Sequence, residues 1–322
     1  MNLWKTASKP LFLLAPMDDV TDTVFRQVVL SCQRPDIFFT EFVSADGLFS
    51  PGKDKVIQKL KFSKEEKPIV AQLWGNNPDN FYKAAQLIAK LGFDGIDINF
   101  GCPDRTVISH NCGAAIILNE KLVSEIIRKT KEGAPDLPIS IKTRLGLQKI
   151  VTDEWIPMLL SQPIDAITVH GRTAKEQSKV PAHWDEIGKA VKIRNHSHSN
   201  VLIIGNGDIE SYDQGLKKIA EYELDGIMIG RGIFKDLWVF EKTKKEGCDT
   251  PVNKLRLLLK HIVLFKKIWG KDKSFLTIRK YVKIYVSGFD KASDTRVKLM
   301  SAASINELEL TVKDAIVSMA SC

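Results

Sequence analysis

The segments VLIIGN (201–206) and DGIMIG (225–230) decide the fold class of this chain. Each is a short run of apolar and β-branched residues that ends in a glycine-containing turn, as buried strands do. Six similar runs precede them along the chain, and segments of helical periodicity lie between the runs. These six runs are LFLLA (11–15), DIFFT (36–40), PIVAQLW (68–74), DGIDINF (94–100), PISIKT (138–143) and DAITVH (165–170).

Eight consecutive β/α units predict an α/β fold of the closed parallel (β/α)8 type, a TIM barrel. An open doubly wound sheet would usually carry a glycine-rich dinucleotide loop after its first strand. The first strand here ends in APMDD (15–19), which is not such a loop. Two helical stretches between the strands, NFYKAAQLIAKLG and EKLVSEIIRKTKEG, end in glycine, as helix C-termini often do.

The last quarter of the chain differs from the rest in pattern and in charge. Residues 250–322 contain no further strand alternation and predict amphipathic helices with short breaks. Residues 241–322 hold 17 Lys+Arg and 9 Asp+Glu, which accounts for the whole net charge of +8. We therefore expect a barrel domain over 1–240 and a smaller all-helical domain over 241–322. A basic appendage on a neutral body favours a polyanionic partner, nucleic acid first, although a solvated lysine-rich surface would look the same.

The bulk composition excludes several classes of protein. Hydrophobic residues make up 44% and charged residues 27% of the 322 residues, which is ordinary for a globular protein. No apolar run approaches the ~20 residues of a membrane span, and the N-terminus does not look like a signal peptide. The five cysteines include no CxxC pair, which argues against a disulfide framework or a structural zinc site. We expect a cytoplasmic protein and a monomer.

Polar residues stand at or just beyond the ends of nearly all predicted strands. In a TIM barrel these ends form the active-site face, so the residues are expected to meet at one mouth. One polar side chain at a strand end means little, but a full ring of them indicates a site. The ring comprises Met17, Glu41, Gln72, Asn99, Lys142, His170, Asn206 and Arg231.

The turns after strands seven and eight, IGNGDI (204–209) and MIGRG (228–232), predict a phosphate site. Glycines let backbone N–H groups approach a phosphate, a following helix N-terminus attracts it, and Arg231 adds charge. A flavin in the same mouth would need a cation beside its pyrimidine edge, and Lys142 with His170 could supply it. Two other roles for Lys142 remain open, a Schiff-base lysine of an aldolase and a structural ion pair.

Cys102 is the candidate reactive group. It stands between Gly101 and Pro103 in a turn directly after the fourth strand, rather than in a core run. Asn99, three residues earlier, could hold a carbonyl or amide of a substrate. Cys112 is interpreted as a small packing residue.

Taken together, these motifs resemble the tRNA-dihydrouridine synthase family. They occur in family order through the whole barrel, and the basic tail with LTIRKYVKIYVSG (276–288) also looks like the family's C-terminal domain. The matching segments are APMDDVTD (15–22), TEF (40–42), AQLWG (71–75), DINFGCP (97–103), Val107, GAAIIL (113–118), IKTRLG (141–146), VHGRT (169–173), IGNGDI (204–209) and MIGRG (228–232).

The resemblance implies a flavoenzyme in which tightly bound FMN, reduced by NADPH, reduces the C5–C6 bond of particular uridines in tRNA. It makes Cys102 the general acid that protonates C5 while hydride passes from flavin N5 to C6. It also makes Asn99 a uracil contact and places Arg172 near the RNA. The residues that it places against FMN are Pro16, Met17, Gln72, Lys142, His170, Asn206, Gly207, Gly230 and Arg231.

The uridine would have to be flipped out of the folded tRNA into the barrel mouth. The basic helices would hold phosphates, for which Arg279, Lys280 and Lys283 are the candidates. Tyr281 and Tyr285 are interpreted as interhelix core rather than as stacking residues.

The chain departs from the family pattern after Met17, where Asp18 replaces a small residue, and after VHGRT, where the usual aromatic residue and glycine are missing. These departures concern the flavin edge and the substrate loop. Three other functions remain open: an FMN-dependent oxidoreductase of free pyrimidines or dihydroorotate, a tRNA-binding, chaperone-like protein, and an aldolase-type barrel enzyme. The first would not need the basic tail, and the second would not need Cys102. The position of the target uridine and the preference for NADPH over NADH do not follow from the sequence.

Overall fold

The computed structural model describes residues 2–242 and 247–320. All strand pairs in these ranges are parallel, and they form one sheet. The strands are β1 (Leu11–Leu14), β2 (Phe38–Phe39), β3 (Val43–Ser44), β4 (Ile69–Trp74), β5 (Gly95–Phe100), β6 (Ile139–Arg144), β7 (Ala166–His170), β8 (Leu202–Asn206) and β9 (Gly226–Ile229).

The sheet closes on itself. Strands follow the order β1-β9-β8-β7-β6-β5-β4-β2, with β3 also beside β4. A parallel bridge between Leu13 and Ile37, just before β2, joins the two ends. Each of the eight predicted runs contains an observed strand, so the predicted (β/α)8 barrel is confirmed.

The second run is the one that differs in detail, because two short strands replace it. β2 and β3 both pair with β4, and Thr40 lies in the gap between them. The Thr40 hydroxyl accepts a hydrogen bond from the backbone N–H of Gln72 at 3.1 Å and donates to the Glu41 carbonyl at 2.8 Å. A side chain thus replaces one backbone ladder partner, which interrupts the strand at this point.

Amphipathic helices follow most of the barrel strands and cover the outside of the sheet. Within the described ranges the α-helices are α1 (Leu3–Thr6), α2 (Thr23–Cys32), α3 (Lys53–Val56), α4 (Pro78–Leu91), α5 (Arg105–Ser109), α6 (Glu120–Gly133), α7 (Thr152–Leu160), α8 (Trp184–His196), α9 (Tyr212–Tyr222), α10 (Pro251–Ile268), α11 (Arg279–Tyr285), α12 (Ala292–Ser301) and α13 (Ile305–Ala320). The helical prediction for the last quarter is confirmed by α10 to α13.

The two glycines expected at helix ends have different physical reasons. Gly92 ends α4 in the left-handed conformation, with φ of 81°, as a helix C-terminal glycine does. Gly133 is the last residue of α6 and has no such φ. A Cβ there would lie 2.3 Å from the Tyr82 carbonyl oxygen, so Gly133 is required by the close approach of α4 and α6.

The barrel interior is filled from its N-terminal end by apolar side chains. Leu3 and Trp4 of α1 pack with residues of β1 and β8, among them Leu11 and Leu202, in one buried cluster. Trp4 is only 1% exposed. Because this end is occupied by hydrocarbon, the polar residues of the interior are restricted to the opposite end.

The residues group into two compact units. One comprises Met1–Thr23 and Pro35–Ile233 and contains the barrel strands, and the other comprises Val24–Arg34 and Phe234–Cys322. Most of α2 therefore belongs with the C-terminal helices, where the Phe25 ring stacks on Tyr281 at 5.2 Å and lies near His261. The boundary expected after residue 240 stays a prediction.

Among residues 2–242 and 247–320, no helix is both long and apolar enough to cross a membrane.

Candidate active site

Polar side chains on the side of β5 and β6 that faces the barrel interior form the core of the site. Successive residues of a strand point to opposite faces. The isoleucines of these strands are therefore directed away from Asp97 and Asn99 on β5, and from Ser140 and Lys142 on β6. Strand register pairs Asp97 with Ser140 and Asn99 with Lys142, so these side chains form two adjacent layers across the strands.

A buried hydrogen-bond network connects these layers to Gln72 on β4. Asp97 accepts from Gln72 Nε2 at 2.6 Å and from Ser140 Oγ at 2.6 Å. Asn99 Nδ2 donates to Gln72 Oε1 at 3.0 Å. Asn99 Oδ1 accepts the backbone N–H groups of Gly101 and Cys102 at 3.0 and 2.9 Å. The network therefore runs from the barrel interior to the loop that carries Cys102.

Lys142 is a buried cation of the barrel mouth. Its Nζ donates to Asn206 Oδ1 at 3.2 Å, and Asn206 is itself held by the Met228 carbonyl at 2.7 Å. Burial lowers the pKa of Lys142 to about 8, with a further lowering by Arg144 that Asp97 opposes. At neutral pH the ammonium form therefore dominates, so Lys142 can stabilise negative charge on a ligand.

His170 differs from Lys142 in charge. Burial and the surrounding cations, Lys142 first among them, lower the pKa of His170 well below its ordinary value. The imidazole is therefore neutral near pH 7, which favours Lys142 as the cation beside the ring; the contact of His170 with a flavin stays a prediction. A neutral ring at this position can still hydrogen bond, and its Nε2 lies 3.3 Å from Arg172 Nη1.

Cys102 lies in the loop between β5 and α5 and is partly exposed. Its backbone is held at both ends, by Asn99 at the N–H and by the N–H of Ala114 at the carbonyl, 3.1 Å away. Burial raises the pKa of the Cys102 thiol above its ordinary value, although the Asp104 backbone N–H and Arg144 oppose the shift. The thiol is therefore protonated at neutral pH, as a proton donor must be.

We predict that alkylation of Cys102 by iodoacetamide is slow at pH 7 and increases steeply only at alkaline pH. The reagent reacts with the thiolate, and a raised pKa keeps the thiolate population small until that pH is reached. Peptide-resolved mass spectrometry separates Cys102 from the other cysteines. Rapid labelling of Cys102 at pH 7 would show a stabilised thiolate and contradict the acid role.

Arg172, Asp208 and Arg231 form a charged cluster beyond β7, β8 and β9. Asp208 pairs with Arg172 Nη2 and lies 3.6 Å from Arg231 Nη2. Burial would raise the pKa of Asp208, but hydrogen bonds from Arg172 and the Ala182 N–H, with the charge of Arg231, lower it. The Arg231 side chain is 64% exposed, so its donors are accessible to an anion.

The turns of the expected phosphate site are only partly as predicted. Gly207 adopts a φ of +138°, and a Cβ there would lie 2.7 Å from the Ala182 Cβ, so this turn requires glycine. The turn after β9 leads into a four-residue 3-10 helix, Arg231–Phe234, and not into an α-helix. The expected dipole of a long helix is thus absent at Arg231, and the side chain itself is the main source of positive charge.

Three features of the mouth fit a planar, polar cofactor such as a flavin. The backbone at Gly230 lies beside Ala15 and Met17 without crowding, because a Cβ there would make only ordinary van der Waals contacts, at 3.7 Å with the Ala15 Cβ and 4.0 Å with the Met17 Sδ. The buried Thr168 hydroxyl, beside Lys142 in register, has no hydrogen-bond partner among the described residues. The Lys142 ammonium has three donors and one such partner there. The remaining donors of Lys142 and the Thr168 hydroxyl match the needs of a flavin edge.

The proposed substrate contacts are held more tightly than expected. Asn99 is 7% exposed and uses its carbonyl for the Cys102 loop. Arg172 is 2% exposed, and its Nε donates to the Val180 carbonyl at 2.6 Å. Arg172 is thus buried and holds the loop after β7 in place. The contact of Asn99 and Arg172 with RNA stays a prediction.

The basic residues of α11 differ in exposure. Lys280 and Lys283 are exposed, whereas Arg279 is partly buried and donates to the Ala302 carbonyl at 2.8 Å. Tyr281 and Tyr285 are buried, as expected for interhelix core. The Tyr285 hydroxyl lies 2.9 Å from His261 Nδ1.

Sequence reasoning missed Asp97, Ser140, Arg144 and Asp208. Arg144 joins two loops of the mouth, since its Nε donates to the Gly101 carbonyl at 2.9 Å and its Nη1 to the Thr173 carbonyl at 2.9 Å. A signal was available for three of them. Parallel strands are usually apolar on both faces, and the alternation of polar and apolar residues in DINF and ISIKTR departs from that rule.

At both places where the sequence departs from the family pattern, after Met17 and after VHGRT (169–173), polar side chains form pairs. Asp18 pairs with Lys59, and this carboxylate is one of the charges that raise the pKa of Cys102. In the loop after β7, the side chain of Glu176 accepts from the Thr173 N–H at 2.8 Å and lies 3.0 Å from His183 Nε2. Polar pairs therefore shape both loops in this chain.

Known proteins resemble this chain in sequence. The sequence family described as dihydrouridine synthase matches residues 13–320. A probable tRNA-dihydrouridine synthase of Staphylococcus aureus (strain COL) is 43% identical over 310 residues, covering 95% of this chain and 93% of the relative. A probable tRNA-dihydrouridine synthase 2 of Bacillus subtilis (strain 168) is 41% identical over 317 residues, covering 97% and 96%.

Solved structures agree on the fold. Histamine dehydrogenase from Rhizobium sp. 4-9 matches with a TM-score of 0.56 at 14% identity, covering 82% of this chain and 51% of that one. A 2-naphthoyl-CoA reductase matches with a TM-score of 0.57 at 11% identity, covering 75% and 51%. At such identities the likeness concerns the barrel alone.

Proposed function

Because the chain belongs to the dihydrouridine synthase family, we propose that it is a flavin-dependent oxidoreductase that reduces uridines of tRNA to dihydrouridine. One observation carries the proposal at the level of chemistry. The protonated Cys102 thiol follows β5, and the Lys142 cation lies on the neighbouring strand β6, opposite Asn99 in register. A proton donor beside a site for a reducible ring is the arrangement that this reaction needs.

FMN is the flavin that we propose. Lys142 and Gln72 would hold its pyrimidine edge, with Asn206 fixing the position of the Lys142 ammonium. Gly207, Gly230, His170 and Arg231 would surround the phosphate and ribityl end, and Pro16 and Met17 the ring. The position of Gly230 beside Met17 and the exposed Arg231 guanidinium support this arrangement.

Bound flavin would supply the hydride, and the residues of the chain would do the rest. Cys102 would give the proton to C5 of the uracil, and burial keeps that thiol protonated until it is needed. Asn99 would contact the uracil through its amide. Arg172, held by Asp208, would keep the loop after β7 in place near the RNA.

We also propose NADPH as the reductant, a monomeric state and a cytoplasmic location. A nicotinamide would have to reach the same mouth as the base, so the two substrates would bind in turn. A base that must be flipped out of tRNA needs contacts to the RNA outside the pocket. The exposed Lys280 and Lys283 of α11 are candidates for these contacts.

We predict that replacing Lys280 and Lys283 together by glutamine weakens tRNA binding and reduces its dependence on salt. Each phosphate contact that is lost removes roughly 0.7–0.9 from the slope of log K against log salt. Filter binding or fluorescence anisotropy at several salt concentrations measures the slope. Arg279 is left unchanged, because its bond to the Ala302 carbonyl supports the helix packing.

The matched control replaces Lys90 and Lys121 by glutamine. Both are exposed lysines of the barrel helices α4 and α6, so the net charge changes equally. An equal loss of affinity in both pairs would reduce the effect to net charge and remove α11 from the proposal.

The function itself is tested by mapping dihydrouridine in tRNA from a strain that lacks the gene. We expect the loss of dihydrouridine at one or more positions and its return when the gene is restored. The purified protein should act on tRNA, with NADPH, far faster than on free uracil or orotate. Activity on the free bases alone would favour the alternative oxidoreductase, and an unchanged dihydrouridine map would contradict the proposal.

A further inference from the structure

Asp97 is a buried carboxylate that the proposed reaction does not use. It is 0% exposed and lies on the inner face of β5, two residues before Asn99. Its oxygens accept from Gln72 Nε2 and Ser140 Oγ, both at 2.6 Å. An ionised carboxylate accepts hydrogen bonds and donates none. The donor end of the Gln72 amide must therefore face Asp97.

The orientation of Gln72 determines the orientation of Asn99. With Nε2 at Asp97, Gln72 presents Oε1 to Asn99 and accepts from its Nδ2 at 3.0 Å. Asn99 then presents Oδ1 to the loop, where it accepts from the N–H groups of Gly101 and Cys102. An amide that is flipped by 180° has almost the same shape, so packing alone does not choose between its two orientations.

We propose that Asp97 is a positioning residue, whose carboxylate orients the amides of Gln72 and Asn99 and thereby holds the Cys102 loop. Its catalytic meaning rests on the proposed function, since the held loop carries the proton donor. The effect of Asp97 on the Cys102 loop depends only on the hydrogen bonds that link Asp97, Gln72 and Asn99 to it. Ser140 is the second partner of the carboxylate but lies outside the chain of contacts that reaches the loop.

Loss of the acceptor has a defined consequence. If Gln72 inverts, its Nε2 faces the Asn99 Nδ2, and two donors cannot bond each other. Asn99 then inverts as well, and the N–H groups of Gly101 and Cys102 lose their acceptor. Buried backbone donors without partners are costly, so the loop would open locally.

The test is hydrogen–deuterium exchange of the Gly101 and Cys102 amides, followed by mass spectrometry of the purified full chain at equal flavin content. Asp97→Ala should lower the protection of these two amides roughly tenfold. Asp97→Asn should retain most of it, because its carbonyl can still accept from Gln72 while its amide faces the Ser140 hydroxyl. Ser140→Ala should also retain it. If Asp97 had only a structural role, the loss of amide protection in each variant would be proportional to its loss of global stability.

A second variant covers the case in which Asp97→Ala does not fold. Gln72→Met interrupts the same contacts one step later and keeps the Asp97–Ser140 pair, so it should reduce the same protection. Unchanged protection in the folded Ala and Met variants, or equal loss in Asp97→Asn and Ser140→Ala, would overturn the proposal. The exchange measurement needs no tRNA and no NADPH, so its outcome is separate from whether the protein makes dihydrouridine.

Discussion

Replacing Cys102 by alanine is expected to lower dihydrouridine formation by roughly a hundred- to ten-thousand-fold, the usual contribution of a general acid. The thiol is partly exposed in the barrel mouth and is kept protonated by burial, so it can deliver a proton. Single-turnover assays with pre-reduced protein and tRNA transcript would measure the loss. Flavin content and tRNA affinity should stay close to those of the unchanged protein.

The matched control is Cys112→Ala. Cys112 is only 2% exposed, and its Sγ lies 3.3 Å from the His110 carbonyl oxygen. Cys112→Ala removes one sulfur atom, as Cys102→Ala does, but from a buried position. We therefore expect near-normal turnover. Normal turnover of Cys102→Ala would mean that the proton comes from another group, and the assignment of the acid would be wrong.

Replacing Lys142 by methionine is expected to be nearly as damaging, with a loss of roughly a hundred- to a thousand-fold, the scale of removing one preorganised electrostatic partner. The protein should also purify with less flavin, because the edge of the ring loses its cation. Absorbance of the released flavin and the rate of dihydrouridine formation measure the two effects. Lys192→Met, at an exposed position of α8, is the control for loss of one lysine.

The Lys142 variant should also change how stability depends on pH. Burial already raises the pKa of Asp97 to about 6, and the charge of Lys142 opposes that rise. Without Lys142 the pKa of Asp97 rises further, so the folded state binds a proton that the unfolded state binds only near pH 4. Stability relative to the unchanged protein should thus fall as pH increases from 5 to 8. A loss that is constant over this range would contradict the coupling.

The sequence was sufficient for the barrel because its signal is local. Each strand is a short apolar run with a turn behind it, and DGIDINF or DAITVH can be recognised without knowing what lies beside it. The break at Thr40 could not be recognised in the same way. It depends on a hydroxyl that meets the N–H of Gln72, which is 32 residues away in the chain.

The site was predictable as a set of residues and less so as chemistry. Lys142, Gln72 and Asn99 stand at strand ends, and this position is visible in the sequence. The neutrality of His170 was not, because it results first from burial and then from the charges of Lys142, Arg144 and the nearby arginines, which the closed sheet brings together. The burial of Arg172 likewise depends on a loop conformation in which the Val180 carbonyl meets its guanidinium.

The membership of α2 in the helical unit has a consequence for biosynthesis. Residues Val24–Arg34 leave the ribosome early, whereas the rest of that unit begins at Phe234. The Phe25 ring therefore cannot pack against Tyr281 and His261 until nearly all of the polypeptide has been translated. A gene fragment that encodes only the final quarter would lack this segment, and its product would have a hole where the Phe25 ring belongs.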